Sequence, residues 1–324
     1  MSTTSETTTT TAPATKEQVD AAWRDPKLAN VLYHDWEAGT YDEKWSISFD
    51  QRCIDYAVDR FVHVAGDDGW PYGRSLELGC GTGFFTLNLK LGGVLDEAHV
   101  TDLSQAMVDV SLRNAAGLGL ALQGRAADAE SIPYEDDSFD LVVGHAVLHH
   151  IPDLDLAMRE ILRVLKPGGR FVFAGEPTQR GDIVARKLSR ATWSVASRLT
   201  HAPGLRNRFA RPKAELDESS RAAALEAVVD IHTFDPGELA RLALRAGAVD
   251  VRTVTDEFTA SWFGWPVRTF EAAVKPGVLG WKWAQFAYRG WTGLNWIDGH
   301  VWEHVVPAEF FYNVSITGVK PEPA

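Results

Sequence analysis

The stretch Ser75-Leu76-Glu77-Leu78-Gly79-Cys80-Gly81-Thr82-Gly83-Phe84-Phe85 decides the fold. Ser75–Leu78 reads as a short buried strand. The glycines behind it permit a tight turn and a close approach of backbone to a ligand. The turn opens a helix carrying Phe84, Phe85 and Leu87. The free N–H groups and dipole of a helix start favour an anionic group. A dinucleotide fold uses the same device for a pyrophosphate, so the turn alone leaves the ligand open.

Outward from this turn, short apolar runs alternate with helical patterns, the sign of βαβ units. A second strand, Ala98–Asp102, is followed by Ser104, a good N-cap for a helix through Met107, Val108 and Leu112. Further strands are expected at Leu120–Gly124, Phe139–Gly144, Arg170–Ala174, Asp250–Thr255 and Phe310–Val319. Leu154, Met158, Ile161, Leu162 and Leu165 form one helical stripe, stopped by Pro167-Gly168-Gly169. Pro236–Ala246 is another helix, with Asp235 as its cap. The pattern predicts an α/β fold: a Rossmann-like, seven-stranded, mostly parallel sheet with helices on both faces. Two stretches, 178–230 and 261–307, interrupt the alternation and leave from the C-terminal ends of strands. Ligands bind at that edge of open α/β sheets, so both are placed as helical insertions capping the site.

The bulk properties narrow the partners. The 324 residues carry a net charge of −12, which disfavours a broad nucleic-acid footprint. The two cysteines, Cys53 and Cys80, make neither a disulfide framework nor a CxxC pair and suit a reducing, cytoplasmic setting. No apolar stretch reaches about 18 residues, so no spanning helix is expected. The Thr-rich start lacks a basic n-region and an apolar h-region and is not a secretory signal.

Three details turn the glycine stretch toward one ligand. The spacing is GxGxG rather than GxGxxG, Glu77 stands two residues before Gly79, and Asp102 closes the second strand, followed by Leu103, Ser104 and Met107. This wording resembles the class I S-adenosylmethionine (SAM)-dependent methyltransferases. Arg125–Pro133, Ser138–Ile151 and Arg159–Pro177 follow in the same order and resemble the branch acting on small molecules and quinones, as does Tyr33–Trp45. The resemblance covers roughly Tyr33 to Pro177. It implies SAM as cofactor and S-adenosylhomocysteine (SAH) as product. It places Gly79, Cys80, Gly81 and Gly83 against the amino-acid end and ribose, and Asp102 on the ribose hydroxyls, with Leu103 and Met107 nearby. It places Asp128, with Ala129, at the adenine amino group. Glu77 either orders the turn or meets the ammonium end of SAM, and Tyr41 is either a SAM contact or a packing residue.

The implied domain plan is a disordered tail at 1–17, N-terminal helices closing over the cofactor at 18–73, and the SAM-binding core at 74–177. The basic helical insertion is 178–230, the core continues at 231–260, the Trp-rich cap is 261–307, and the last strand lies in 308–320.

Methyl transfer from a sulfonium needs an aligned nucleophile, and a base only when the acceptor arrives protonated. His145, at the end of the fourth strand, and Glu176, just past the fifth, are the catalytic candidates. His145, His149 and His150 do not make a metal site, because adjacent histidines point apart on a helix. Asp298, His300, Glu303 and His304 read as surface or acceptor contacts.

Seven of the twelve tryptophans follow residue 260. They imply either plain packing or a lid over a small apolar or aromatic acceptor. From Thr178 to Lys213 there are nine Lys/Arg and one acid, and Val184, Leu188, Ala191, Val195 and Leu199 share a helical face. Such a helix packs by its apolar face, binds a phosphorylated acceptor, or rests on a membrane through 183–213. The expected activity is methylation of a natural product, quinone or lipid-like acceptor. The alternatives are a peripheral-membrane lipid or prenylquinone enzyme and a catalytically silent SAM-binding protein. Nucleic-acid methylation is disfavoured, since Gly144-His145-Ala146-Val147 replaces the Asn/Asp-Pro-Pro-aromatic motif and no Pro-Cys occurs. The glycine spacing disfavours an NAD-dependent dehydrogenase.

Overall fold

The computed structural model describes residues 17, 21–42, 47–211, 229, 231–275 and 277–323. Most of the expected tail, 1–16, and residues 212–228 of the basic insertion lie outside it.

Among the described residues, α1 (Pro26–Glu37) and α2 (Gln51–Ala65) precede the sheet, capped by Asp25 and Asp50, whose carboxylates accept backbone N–H bonds from the first turn. The core then alternates: β1 (Tyr72–Leu78), α3 (Phe84–Leu91), β2 (Leu95–Asp102), α4 (Gln105–Gly117), β3 (Gln123–Ala126), β4 (Phe139–His145), α5 (Leu154–Val164) and β5 (Leu165–Pro177). The first insertion supplies α6 (Gln179–Thr200). The core resumes with α7 (Pro236–Ala246) and β6 (Val249–Asp256). The cap is α8 (Thr259–Ala273) and α9 (Trp281–His300), and β7 (Asn313–Val319) completes the sheet.

The strand order is β3-β2-β1-β4-β5-β7-β6, and β7 alone runs antiparallel to its neighbours. Period-2 alternation divides the core between two faces. Leu76, Leu78, Val142, Phe171 and Phe173 pack with Met158 and Ile161 of α5 and Leu239 of α7. Leu141, Val143, Val172 and Ala174 pack with Phe61 of α2 and Phe85 of α3. Helices thus cover both faces, and the sheet's C-terminal edge is left for the insertions.

Three boundaries and one helix face differ from expectation. β3 begins at Gln123, because Leu120 N–H still closes the α4 terminus on Ala115 C=O. α5 ends at Val164, and Pro167-Gly168-Gly169 lies inside β5, where Gly168 and Gly169 exchange backbone hydrogen bonds with Lys320 beyond β7. The last strand starts at Asn313, after a 3-10 turn at Ala308–Phe310. The buried residues of α6 are the small Gly181, Ala185, Ala196 and Thr200, against α8, and the expected apolar face is not the packed one. Small residues let two helices approach closely.

Candidate active site

The glycine turn and the β2 terminus build the site's floor. Gly79, Gly81 and Gly83 all have positive φ, at 62°, 50° and 89°. A Cβ on Gly79 would collide with the Val147 side chain. One on Gly83 would stand 2.6 Å from Ser111 Oγ. Glycine is therefore required at 79 and 83 by both backbone conformation and space, and at 81 by conformation alone. Glu77, 1% exposed, accepts the Thr86 N–H through Oε2 at 3.1 Å and so ties strand end to helix start. Asp102 accepts the Gly81 N–H through Oδ2 and the Ser104 N–H through Oδ1, both at 2.9 Å. Each carboxylate oxygen keeps a second lone pair.

Burial pushes the Asp102 carboxyl up to about 6, opposed by its two N–H donors. Burial also pushes Glu77 up to about 8, opposed by Thr86 and reinforced by Asp102. Without ligand, folding therefore holds a proton on Glu77 that the unfolded chain, at the ordinary 4.5, gives up earlier. At Glu77 the folded state binds more protons between these values, so this group's contribution to stability falls as pH rises from about 4.5 to 8. Glu77→Gln is expected to flatten that slope by roughly 2 kcal/mol or more across the window. Urea unfolding at several pH values checks this, and equal slopes for both proteins would refute it.

One cavity of about 1160 Å³ opens above this floor. Gly79, Cys80, Gly81, Asp102, Leu103 and Ala129 line it, as do Tyr41, Glu77, Asp128 and His145. Gly83 and Met107, expected among the cofactor contacts, do not. Gly83 serves the turn, and Met107 is fully buried behind the Ser104 cap. Asp128 also has a partner that was not foreseen: Lys27 of α1 reaches Asp128 at 2.6 Å and Glu130 at 2.5 Å. With Ser104 Oγ donating to Asp35 at 2.5 Å, these contacts hold α1 over the β2 and β3 termini.

The two catalytic candidates part company. The His145 ring lies among Tyr56, Phe84 and Phe85, with centroids 5.3–6.0 Å away, and its buried Nε2 has no partner among the described residues. Burial lowers its pKa to about 4, with Glu176 opposing weakly, so the imidazole is neutral at physiological pH. Glu176, by contrast, is fully buried and stays out of the cavity wall. Its oxygens accept the N–H groups of Val147, Leu148 and His149 and the His149 Nδ1–H, at 2.8–3.1 Å. Burial disfavours its charge, but these donors win and hold the carboxyl below its usual range. In this arrangement Glu176 orders the turn after β4. Ala146 in that turn has φ +52°, an uncommon value for a residue with a Cβ.

The far wall holds residues the sequence reading missed. Arg60 of α2, 5% exposed, pairs with Asp256 at 2.7 Å and Glu257 at 2.8 Å beyond the β6 end. Its guanidinium stands 5.0 Å over the Tyr56 ring. His63 Nδ1–H donates to Asp256 at 2.9 Å. Burial opposes the Asp256 charge, but Arg60 and His63 outweigh it and hold the carboxyl at about 2. Trp291 of α9 closes on Tyr56 at 6.1 Å. The available signals were an arginine on the apolar face of a helix and two acids at a strand's C-terminal end. Asp298, read as surface or acceptor contact, is buried, caps α8 by accepting the Thr259 and Ala260 N–H groups, and also borders the cavity. Among the described residues, no His, Cys, Asp and Glu side chains gather to hold a metal ion.

Residues 76–173 match the profile of a family described as a methyltransferase domain. The malonyl-[acyl-carrier protein] O-methyltransferase of Methylococcus capsulatus is 29% identical over 221 residues, 64% of this chain and 75% of that protein. The demethylmenaquinone methyltransferase of Lactobacillus johnsonii is 38% identical over 99 residues, 30% of this chain and 41% of that protein. Phosphoethanolamine N-methyltransferase 2 of Haemonchus contortus, solved in complex with SAM, shares the fold, with a TM-score of 0.51 and 15% identity over 90% of this chain and 60% of that one. The matched stretch, residues 76–173, is a methyltransferase domain. The match to the quinone enzyme spans less than half of that enzyme's length. No helix among the described residues is long and apolar enough to cross a membrane.

Proposed function

We propose that this chain transfers a methyl group from SAM to a small apolar or aromatic acceptor seated between His145 and the Trp-rich cap. The observation that carries the reading is the cavity whose floor is the glycine turn with Asp102 and whose walls include Tyr56, Phe84, Trp291 and Trp296.

The residues present fit the cofactor. Gly79 and Gly81 expose backbone to the cavity, Asp102 keeps lone pairs for a vicinal diol, and Glu77 lies beneath the turn. In this reading Asp102 holds the ribose hydroxyls, Asp128 and Ala129 border the adenine, and Tyr41 packs over the turn, its ring edge 3.9 Å from where a Gly81 Cβ would be. When bound, SAM supplies an electrophilic methyl, which bonds to the acceptor's lone pair as the sulfur–carbon bond breaks and SAH leaves. The neutral His145 ring accepts the acceptor's O–H or N–H through Nδ1, since Nε2 is buried toward Gly175, and orients the acceptor's lone pair. Apolar walls exclude water from the attacking atom.

Purified protein incubated with methyl-labelled SAM and a panel of phenols, quinones and apolar amines is expected to form SAH with at least one class. His145→Phe, which keeps a ring but removes both ring nitrogens, should lower kcat about 10–100-fold with SAH affinity retained. Because His145 titrates near 4, its loss should not change the pH dependence of kcat between 6 and 8. SAH binding with no turnover on any panel member would favour the silent SAM-binding alternative.

A further inference from the structure

α6 turns its small residues inward, half-buries Val184 and Leu188, and leaves its apolar residues Ile183, Val195 and Leu199 exposed. Val184, Leu188, Ala191, Val195 and Leu199 follow one another at helical spacing and form a stripe beside the packed face. Val195 is 56% exposed, Leu199 55% and nearby Ile183 52%. Lys187 and Arg198 flank this stripe, with Arg190 a step further round, and all three are exposed. None of the three makes an ion pair or hydrogen bond among the described residues, whereas Arg180 pairs with Glu309 and Arg186 with Asp182. The pattern continues into the next turns with exposed Leu205, Arg206 and Arg208.

Unpaired cations beside unpacked aliphatic side chains call for a partner that is anionic and apolar at once. This lies in a protein of net charge −12, and screening confines electrostatics to about 8 Å at physiological salt, so the local charge governs. A nucleic acid offers phosphates but no apolar layer. An anionic lipid surface offers both, with phosphates for Lys and Arg and the headgroup–acyl boundary for Val and Leu.

We propose that α6 docks this protein on an anionic bilayer surface, with the exposed Ile183, Val195 and Leu199 at the acyl boundary and Lys187, Arg190 and Arg198 on the lipid phosphates. Asp182 and Arg186 of the same helix line the cavity, so docking sets the cavity beside the phase into which apolar acceptors partition. The docking itself does not depend on the methyl-transfer reading.

The test is co-sedimentation of the full chain with vesicles of phosphatidylcholine, alone or mixed with phosphatidylglycerol. Binding to the anionic vesicles is expected to be about tenfold or more stronger and to fall with added salt. The pair Val195→Glu/Leu199→Glu should weaken it about tenfold. Lys187→Gln/Arg190→Gln/Arg198→Gln should weaken it about a hundredfold, at about fivefold per cation. All five positions are exposed, and thermal unfolding and SAH binding equal to the parent would show that the variants fold and keep their cofactor site. Equal affinity for both vesicle types, no binding, or unchanged binding by the variants would overturn the proposal. So would equally tight binding to heparin that the Val195/Leu199 pair leaves untouched, which would mark a general anion patch.

Discussion

Asp102→Ala is expected to weaken SAH binding by about 1.5–3 kcal/mol, roughly 10–150-fold, through the loss of charge-assisted hydrogen bonds. The carboxylate has two tasks in the structure. Its oxygens hold the Gly81 and Ser104 N–H groups at 2.9 Å, and their remaining lone pairs border the cavity. Alanine removes both functions, so part of the loss comes from a less ordered turn. Asp102→Asn separates the two: its carbonyl still accepts one N–H, but the charge is gone, and its affinity should fall between wild type and alanine. Calorimetric titration of folded protein is the measurement. Wild-type affinity in the alanine variant would remove Asp102 from the cofactor site.

Arg60→Met should lower the unfolding free energy by about 3–5 kcal/mol, because it strips the counter-charge from two acids held away from water. The Asp256 and Glu257 side chains are each 13% exposed, and Arg60 is 6%. The same ion pairs join α2 to the segment that opens the cap, so early protease cleavage within 261–307 should accompany the loss. Combining Arg60→Met with Asp256→Asn and Glu257→Gln should recover most of the stability, since the penalty lies in uncompensated charge rather than in missing attraction. Urea unfolding reads both results. A loss below about 1 kcal/mol in the single variant would mean that water screens the cluster.

The glycine turn and Asp102 were legible because their chemistry is local. A strand end, three glycines and a helix start occupy consecutive residues, and Asp102 ends the next strand. His145 was legible for the same reason, as the last residue of β4. The orientation of Glu176 was not legible, because a place near the end of β5 says only that it is near the ligand edge. Its orientation depends on three N–H groups of a turn some thirty residues earlier in the chain. The α6 stripe was legible as amphipathic, but which face packs was settled by the close approach of α8.

The sequence by itself determined the α/β alternation, the glycine turn, the acid that closes β2 and the places where the insertions leave the sheet. All of these follow from residue spacing and from the conformational limits of glycine and of helix caps, which act over a few residues. Only the tertiary structure decided that Lys27 meets Asp128, that Arg60 meets Asp256 and Glu257, and that Glu176 faces a turn while His145 faces the cavity. Those partners lie far apart along the chain. Their contacts depend on how helices settle on the sheet, where burial makes an unpaired charge costly and so selects the arrangement in which each charge meets its opposite.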